Sequence, residues 1–168
     1  ANQICRIQMF LSRTGLPWSC STSGALAAIP LNRAAVVGFP LRVRFYELDP
    51  YHHVNHAVYI QYFEAARIEL LREAGLTLQG MMNDGVMIVV TDINTRFLRS
   101  ALGNDELVVE TEVLEFKRVT SRWRQRLLRG DEVIVEQELG AAVTNLSGRP
   151  IRFPERMVQM LRPYLSRP

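Results

Sequence analysis

A long segment without glycine or proline, residues 56–74, constrains the fold of this chain more than any other feature. It follows Asn55, a favourable N-cap, and ends before Gly75, the residue type that most often follows a helix C-terminus. The segment predicts one helix of about five turns. Its large apolar side chains fall on one broad arc: Tyr59, Ile60, Tyr62, Phe63, Ala66, Leu70, Leu71 and Ala74. A helix with so wide an apolar surface needs a sheet wrapped around it.

The other apolar segments have the pattern of strands. Residues 34–48 end in an alternation that predicts a strand with Leu41, Val43 and Phe45 on its buried face. Four further segments, joined by short turns, also predict strands: 86–100, 105–117, 120–129 and 131–146. Residues 155–165 follow two prolines and predict a short closing helix. The order of strand, long helix and antiparallel meander indicates an α+β domain.

One strand register follows from the charges. If the chain turns at Arg118, Glu110 faces Arg126 and Glu112 faces Arg124, so that opposite charges lie across the hairpin. This pairing explains the arginine-rich run at 122–126 as a solvated, charge-balanced face. No aromatic stacking platform accompanies the run, which argues against nucleic-acid binding.

The basic character of the chain comes from its N-terminal part. The net charge of +3 combines +5 from residues 1–46, which contain five arginines and no acidic residue, with −2 from the rest. We interpret residues 1–35 as a flexible extension and residues 36–168 as the folded domain. Both cysteines lie in the extension, so the domain has no disulfide framework and suits a reducing cytoplasm. The acid-free, arginine-containing extension also resembles an organellar import sequence, and no segment has the length and apolarity of a membrane span.

All three histidines of the chain lie within five positions, next to an aspartate. His52, His53 and His56 follow Asp49, so the groups that titrate near neutral pH are concentrated between the first strand and the long helix. The helix start adds backbone N–H groups at His56, Ala57 and Val58 that can polarise a substrate oxygen. This junction is the candidate active site.

The same residues carry a family resemblance. Asp49, the triplet at 53–55, Tyr59 and the run at 62–67 resemble the motif of hotdog proteins of the 4-hydroxybenzoyl-CoA thioesterase type. The likeness covers residues 41–165 and includes the segment at 96–107. It implies a hotdog fold, in which an antiparallel sheet wraps around one long central helix, and an acyl-CoA thioesterase activity without a cofactor.

The resemblance also implies roles for individual residues. Asp49 is the catalytic carboxylate, acting either as nucleophile on the thioester carbonyl or as base on a water molecule, and the main-chain amide of His56 is the oxyanion donor. Bacterial acyl-CoA thioesterases of the Tol-Pal cluster have a histidine at the position of His56, whereas plant acyl-ACP thioesterases have one at the position of His53. Tyr51 and His56 depart from the plant pattern, which favours His56 as the assisting histidine.

Other interpretations of these residues stay open. Asp49-Pro50 is also a common turn signature, and His53 could be a buried residue bonded to backbone. Glu64 is a rival catalytic carboxylate, because some hotdog thioesterases use an acid on the central helix; otherwise it forms a buried ion pair with Arg67. A metal site built on Asp49 and the histidines lacks a second ligand cluster, so no metal is expected.

The remaining candidates are substrate contacts. Basic residues near strand ends could bind the phosphates of coenzyme A: Arg96, Arg99, Lys117 and Arg118. At the helix, the candidates for the thioester and acyl group are Asn55, Ala57, Val58, Tyr59 and Phe63. The resemblance implies a homodimer or homotetramer with active sites at subunit interfaces. Alternative functions are an acyl-ACP thioesterase and a non-catalytic hotdog protein that binds an acyl ligand or a partner.

Overall fold

The computed structural model describes residues 36–166, and the predicted N-terminal extension, residues 1–35, lies outside this range. Its helices and strands are listed here in chain order: β1 Val37–Arg42, α1 His56–Glu73, α2 Leu78–Asn83, β2 Val86–Phe97, β3 Glu106–Phe116, β4 Thr120–Arg129, β5 Glu132–Asn145 and α3 Glu155–Leu161. The described residues also include two short 3-10 helices, Phe45–Glu47 and Arg162–Tyr164. No helix among the described residues is long and apolar enough to cross a membrane.

The long helix α1 forms where the sequence predicts it. The side chain of Asn55 accepts a hydrogen bond from the N–H of Ala57, which caps the first turn. The helix ends at Glu73, and Gly75 follows it with φ +79°, a conformation that is strained for any residue with a Cβ atom. The predicted apolar arc is confirmed, since Phe63 and Leu70 are completely buried.

The five strands form one antiparallel sheet in the order β1-β3-β4-β5-β2. Buried side chains of its inner face, among them Val109, Leu127 and Val135, belong to the same apolar cluster as Phe63. Each fully buried side chain of this size stabilises the fold by about 1.5–3 kcal/mol relative to exposure. The sheet around a central helix is the α+β hotdog architecture that the sequence predicts.

The predicted hairpin register is confirmed. Glu110 pairs with Arg126 and Glu112 with Arg124 across β3 and β4, and the closest oxygen–nitrogen distances are 2.7 Å and 3.5 Å. Arg124 also approaches a carboxylate of β5, so that this face of the sheet carries rows of alternating charge. Such partly exposed pairs each contribute little to stability, about 0–1 kcal/mol.

The predicted burial of Phe45 is wrong. Strand β1 ends at Arg42, Val43 is buried, and residues 45–47 form a 3-10 helix in which Phe45 is 85% exposed. The carboxylate of Glu47 accepts a hydrogen bond from the N–H of Arg44 at 2.6 Å, and this cap turns the chain out of the strand. An alternating pattern of side chains does not reveal such a cap.

The short helix α2 is absent from the sequence prediction. Thr77 caps it by accepting a hydrogen bond from the N–H of Gly80 at 3.1 Å, and its side chain Met81 is buried. Only six residues long, α2 offers too few turns for a clear helical period. The closing helix α3 forms as predicted, although its last turn becomes a 3-10 helix.

Candidate active site

The segment between β1 and α1 folds back on itself around Asp49. The N–H of Asp49 donates to the carbonyl of His53 at 2.7 Å, and the N–H of His52 donates to the carbonyl of Asp49 at 3.0 Å. His52 closes the turn with φ +62°, an uncommon conformation for a residue other than glycine. The loop therefore has a defined shape before any substrate binds.

The carboxylate of Asp49 is part of this turn. Its Oδ1 accepts hydrogen bonds from the N–H groups of Tyr51 at 2.8 Å and His53 at 3.2 Å. The interpretation of Asp49-Pro50 as a turn signature is thus confirmed. Its Oδ2 has no hydrogen-bond donor among the described residues, so this oxygen is available to a substrate or water.

The helix start offers fewer free amides than the sequence predicts. The N–H of Ala57 donates to the Asn55 side chain at 2.9 Å, and the N–H of Val58 donates to the Asn55 carbonyl at 2.9 Å. These two groups are therefore occupied by the cap. In this first turn the N–H of His56 is left without an acceptor among residues 36–166, and it lies at the positive end of the helix dipole.

Asp49 and His56 open onto the same surface cleft, which has a volume of about 310 Å³. The lining consists of Asp49, His53, Val54, His56, Tyr59, Phe97, Leu98, Arg99 and Ser100. His53 is exposed, so the expectation of a buried His53 is wrong. His52 does not line the cleft.

Tyr59 connects the floor of the cleft to the loop that precedes β3. Its hydroxyl oxygen accepts a hydrogen bond from the N–H of Ala101 at 2.9 Å, and its ring lies 5.5 Å from that of Phe97. Burial raises the pKa of Tyr59, so the hydroxyl keeps its proton near neutral pH. The hydroxyl of Tyr59 therefore keeps a proton that it can donate.

The sequence prediction omits four residues of the lining, namely Val54, Phe97, Leu98 and Ser100. The last three follow one another closely at the end of β2 and beyond it, and β2 lies far from the histidines in sequence. The apolar pair at 97–98 before a run of small and polar residues could have indicated a strand end at a site. Only the three-dimensional fold brings that strand end to the helix start.

A buried hydrogen bond between a carboxylate and a phenol connects this loop to α1. The carboxylate Oε2 of Glu47, a residue only 8% exposed, accepts a hydrogen bond from the hydroxyl of Tyr62 at 2.6 Å. The carbonyl of Glu47 accepts the N–H of Asn55 at 2.9 Å, which joins the same residue to the helix cap. Burial and the nearby Glu47 carboxylate raise the pKa of Tyr62, so the phenol stays neutral.

The predicted residues further along α1 lie away from the cleft. Phe63 is completely buried in the core, and Glu64 is exposed. The expected buried ion pair of Glu64 and Arg67 is wrong, because the guanidinium of Arg67 instead donates to the side chain of Gln125 at 2.7 Å.

The four basic candidates occupy different places. Arg99 lines the cleft and lies 3.6 Å from a carboxylate oxygen of Glu132. Arg96 lies on the outer face of the sheet, 3.8 Å from Glu136. Lys117 and Arg118 lie at the β3–β4 turn, at the opposite end of the sheet from Asp49. Within residues 36–166, no group of three or more histidine, cysteine or acidic side chains is arranged to hold a metal ion.

Residues 43–161 match the family described as the thioesterase-like superfamily, and this segment carries the whole of α1 and the sheet from β2 to β5. The chain belongs to the thioesterase-like superfamily. Among its similar relatives is the acyl-CoA thioesterase YbgC of Haemophilus influenzae. It is 33% identical over 121 residues, which cover 71% of this chain and 89% of that protein.

Two other members are informative. The chloroplastic acyl-acyl carrier protein thioesterase ATL2 of Arabidopsis thaliana is 26% identical over 138 residues, covering 79% of this chain and 73% of that protein. A crystal structure of a probable thioesterase from Bartonella henselae matches with a TM-score of 0.68 and 27% identity, covering 71% of this chain and all of that one. The superfamily thus includes relatives named for both kinds of acyl carrier.

Proposed function

We propose that this thioesterase-superfamily member hydrolyses acyl-CoA thioesters to the free acid and coenzyme A. The observation that carries the proposal is the shared cleft of Asp49 and His56, in which a carboxylate oxygen and a main-chain N–H are both without partners among the described residues. Thioester hydrolysis needs this combination, because one group must generate the attacking oxygen and another must stabilise the oxyanion. The similarity to an acyl-CoA thioesterase over most of both chains supports the choice of carrier.

Asp49 supplies the attacking oxygen in one of two ways. As a nucleophile, its carboxylate oxygen bonds to the thioester carbon, the C–S bond breaks, and the thiolate leaves and takes a proton; water then hydrolyses the resulting mixed anhydride. As a general base, Asp49 removes a proton from a water molecule whose oxygen attacks the same carbon; the C–S bond then breaks, and the thiolate leaves and takes the proton. In both routes the Asx turn fixes the direction from which the carboxylate acts.

The start of α1 stabilises the negative charge that develops on the carbonyl oxygen. The N–H of His56 donates to this oxygen, and the helix dipole adds a favourable field. Its imidazole lines the same cleft and assists proton transfer from water or to the leaving thiolate. His53, which precedes Asn55 in the sequence, is the second candidate for this proton transfer.

Arg99 is our candidate for binding the phosphate groups of coenzyme A, since it is the arginine of the cleft lining. An acyl carrier protein would place a phosphopantetheine arm in the same cleft, and the relative from Arabidopsis thaliana makes this the second candidate substrate. A non-catalytic binding protein is the third alternative.

We also propose a dimer formed through strand β2. The sheet has two edge strands, and β1 is short and contains Pro40, whereas β2 has twelve residues without proline, glycine or lysine. Several large apolar side chains of β2 are exposed, each by more than 40%: Val89, Val90, Ile93 and Phe97. A long apolar edge of this kind pairs readily with another strand. Pairing there would place the cleft residue Phe97 at the subunit interface.

The function is tested with the purified protein and its Asp49→Asn variant on acyl-CoA esters of short, medium, long and aromatic acids, with thiol release as the measurement. Asparagine keeps an oxygen that can accept the two turn hydrogen bonds but removes the charge. We expect turnover by the wild type and a loss of at least ~10²-fold in kcat/KM in the variant. Full activity of the variant would exclude Asp49, and Glu64→Gln would then be measured next.

Inert wild-type protein with every CoA ester would contradict the proposal. The same acyl chains on acyl carrier protein then separate the two remaining functions. Hydrolysis of these would establish the second candidate, and its absence would favour a binding protein.

A further inference from the structure

The hydroxyl of Tyr59 has an unused hydrogen-bond donor. Tyr59 is only 4% exposed, and its oxygen accepts a hydrogen bond from the N–H of Ala101 at 2.9 Å. A phenol can donate as well as accept, yet no atom of residues 36–166 accepts the hydrogen of this hydroxyl. The phenol of Tyr62, by contrast, donates to Glu47 at 2.6 Å. Polar groups of buried side chains are almost always bonded, so the free donor of Tyr59 requires an explanation.

The neighbours of this hydroxyl belong to the cleft. Tyr59 itself is part of the lining, and Ala101 directly follows the lining residue Ser100. The carbonyl of Ala101 accepts the N–H of Val54, another lining residue, at 2.9 Å. Because the oxygen of Tyr59 accepts the N–H of Ala101, its own hydrogen points away from that amide. A ligand oxygen in the cleft would therefore satisfy the donor.

The loop that contains Ala101 is held in place by Arg129. One guanidinium nitrogen, Nη1, donates to the carbonyl of Ser100 at 3.3 Å and to Oδ2 of Asp105 at 3.1 Å. These two contacts lie on either side of Ala101 in the chain, so the amide that bonds to Tyr59 has a fixed position. A donor that is oriented before the reaction needs no reorganisation when charge develops on a substrate oxygen.

Tyr59 and His56 belong to the same face of α1. Residues three apart on a helix are neighbours, with about 5–6 Å between their Cβ atoms, and both line the cleft that contains Asp49. Burial raises the pKa of Tyr59, so the phenol is neutral and keeps its hydrogen. A hydroxyl that accepts a hydrogen bond, here from Ala101, also becomes a stronger donor, because linked hydrogen bonds polarise one another.

We propose that the hydroxyl of Tyr59 is a second oxyanion donor, which binds the thioester oxygen together with the N–H of His56. The inference rests on the proposed thioesterase function and adds a catalytic residue to it. When the new C–O bond forms, the carbonyl oxygen becomes negative, and Tyr59 donates a hydrogen bond to it without giving up its proton. When the C–S bond breaks, the carbonyl reforms and this hydrogen bond weakens. An interaction of this kind acts on kcat rather than on KM, because it is strongest in the transition state.

The kinetic test compares Tyr59→Phe with the wild type on the same CoA ester. Phenylalanine keeps the ring that packs against Phe97 and removes only the hydroxyl. We expect kcat to fall about 10²-fold and KM to stay nearly unchanged. Tyr46→Phe is the matched control and should leave both constants unchanged, since Tyr46 is 63% exposed and its hydroxyl has no bonded partner among the described residues.

Two kinetic outcomes would overturn the inference. One is an unchanged kcat in Tyr59→Phe. The other is a loss of kcat/KM that comes from KM, because a displaced Ala101 loop would weaken substrate binding instead of the chemical step. Thermal melting of each variant establishes that it is folded.

A spectroscopic readout without turnover accompanies the rates. The probe is the ketone analogue of the ester with the highest kcat/KM, in which a methylene group replaces the sulfur and the carbonyl carries an isotopic label. The analogue of butanoyl-CoA is used if no ester is hydrolysed. Hydrogen bonds lower the stretching frequency of a carbonyl group, so we expect the infrared band of the bound ketone at higher frequency in Tyr59→Phe than in the wild type. An equal band position would overturn the inference.

A second replacement keeps the test decisive if Tyr59→Phe does not fold. Replacement of Tyr59 by 3-fluorotyrosine retains the ring and the hydroxyl but strengthens the donor, since fluorine lowers the pKa of the phenol. We expect the ketone band to move to lower frequency, and an unmoved band would contradict the proposed hydrogen bond. If the wild type hydrolyses no CoA ester, the thioesterase function fails, and the ketone band still decides whether Tyr59 donates. Hydrolysis with a band that neither replacement moves would refute the role of Tyr59 alone, and a ketone that does not bind would refute it as well.

Discussion

Glu47 is the residue whose contacts determine where Asp49 stands. It lies two positions before the aspartate, and its side chain and its backbone carbonyl bond to different elements: the carboxylate to Tyr62 inside α1 and the carbonyl to Asn55 at the helix cap. A change at this position would therefore move the loop that contains Asp49 relative to the amide of His56. Such movements matter because catalytic groups work only within a narrow range of geometry.

Substitution of Tyr62 by phenylalanine tests how much the hydrogen bond between Tyr62 and Glu47 contributes to stability. The variant leaves the buried Glu47 carboxylate without its phenol donor, and we expect a loss of about 1–3 kcal/mol in the free energy of unfolding. The pKa of Tyr62 is higher in the folded protein than in the unfolded chain. The contribution of this phenol to the free energy of unfolding is therefore complete below about pH 10 and is lost progressively as the pH rises further. Urea denaturation of both proteins from neutral to strongly alkaline pH measures the difference.

One outcome of this measurement would contradict the expected loss of stability. An equal free energy of unfolding for the two proteins near neutral pH would show that Glu47 finds another donor. Tyr46→Phe is the matched control, because Tyr46 is 63% exposed and its hydroxyl has no bonded partner among the described residues. This control should leave both the stability and its pH dependence unchanged.

Sequence reasoning finds the site residues that act through their chemical type and overlooks those that act through contacts. Asp49 and His56 stand out because acids and histidines next to a helix cap are recognisable in a sequence, and both line the cleft. Glu47 and Phe97 do not stand out, since the importance of each depends on a partner that is distant in the chain. Arg67 was expected to pair with Glu64, one helical turn away, yet its partner is on β4.

At the scale of elements, the first turn of α1 contains both the helix cap and the oxyanion donor that we propose. The side chain and carbonyl of Asn55 accept the amides of Ala57 and Val58, so that in this turn only the amide of His56 is left without an acceptor among residues 36–166. A single N–H is a small oxyanion site, and Tyr59, which also lines the cleft, is a candidate for a second donor. The catalytic contribution that we propose for the backbone is therefore concentrated at one position.

That position can be tested by substitution, because proline is well tolerated at the first residue of a helix. His56→Pro removes the amide hydrogen together with the imidazole, whereas His56→Ala removes the imidazole alone. Asn55 already has an extended conformation, φ −60° and ψ 137°, which a following proline accepts. We expect kcat of His56→Pro to fall about 10²- to 10³-fold below that of His56→Ala on the same CoA ester.

Comparable rates for the two variants would exclude the amide of His56 as the oxyanion donor. Circular dichroism melting of both proteins accompanies the kinetics, since a shortened α1 would lower the rate of His56→Pro for a different reason. Similar melting temperatures together with different rates would assign the effect to the lost N–H.

Elements with a strong local signal were predicted closely, and those formed by tertiary contacts were not. The bounds of α1 follow from Asn55 and Gly75, and the register of β3 and β4 follows from charge pairs. The 3-10 helix at residues 45–47 depends on a side-chain cap and on Tyr62, so an alternating pattern extended the strand too far. The six residues of α2 are held by packing against the main core.

At the scale of the whole molecule, the exposed apolar edge of β2 is the feature that a single chain does not satisfy. Ile93 lies near the middle of this edge and is 44% exposed, so a charged residue there should not disturb the fold of one chain. We expect Ile93→Lys to shift the protein from dimer to monomer, because a buried lysine at a strand interface is costly. Sedimentation equilibrium measures the mass.

Leu146→Lys is the matched control, since Leu146 is 58% exposed and lies beyond the end of β5. A wild type that is monomeric at micromolar concentration would contradict the proposed dimer. If Ile93→Lys is monomeric and folded, its rate of CoA ester hydrolysis also shows whether one chain suffices for activity.

The strand order has a consequence for how the protein is made. Strand β2 comes second in the chain but pairs with β5, the last strand, and β2 carries Phe97 to the cleft. A growing chain can form β3 and β4 as a local hairpin, yet it must leave β2 unpaired until synthesis has passed Asn145. The cleft is thus completed late, and a shortened chain that lacks β5 would have its aspartate and histidines without the wall of the cleft that Phe97 contributes.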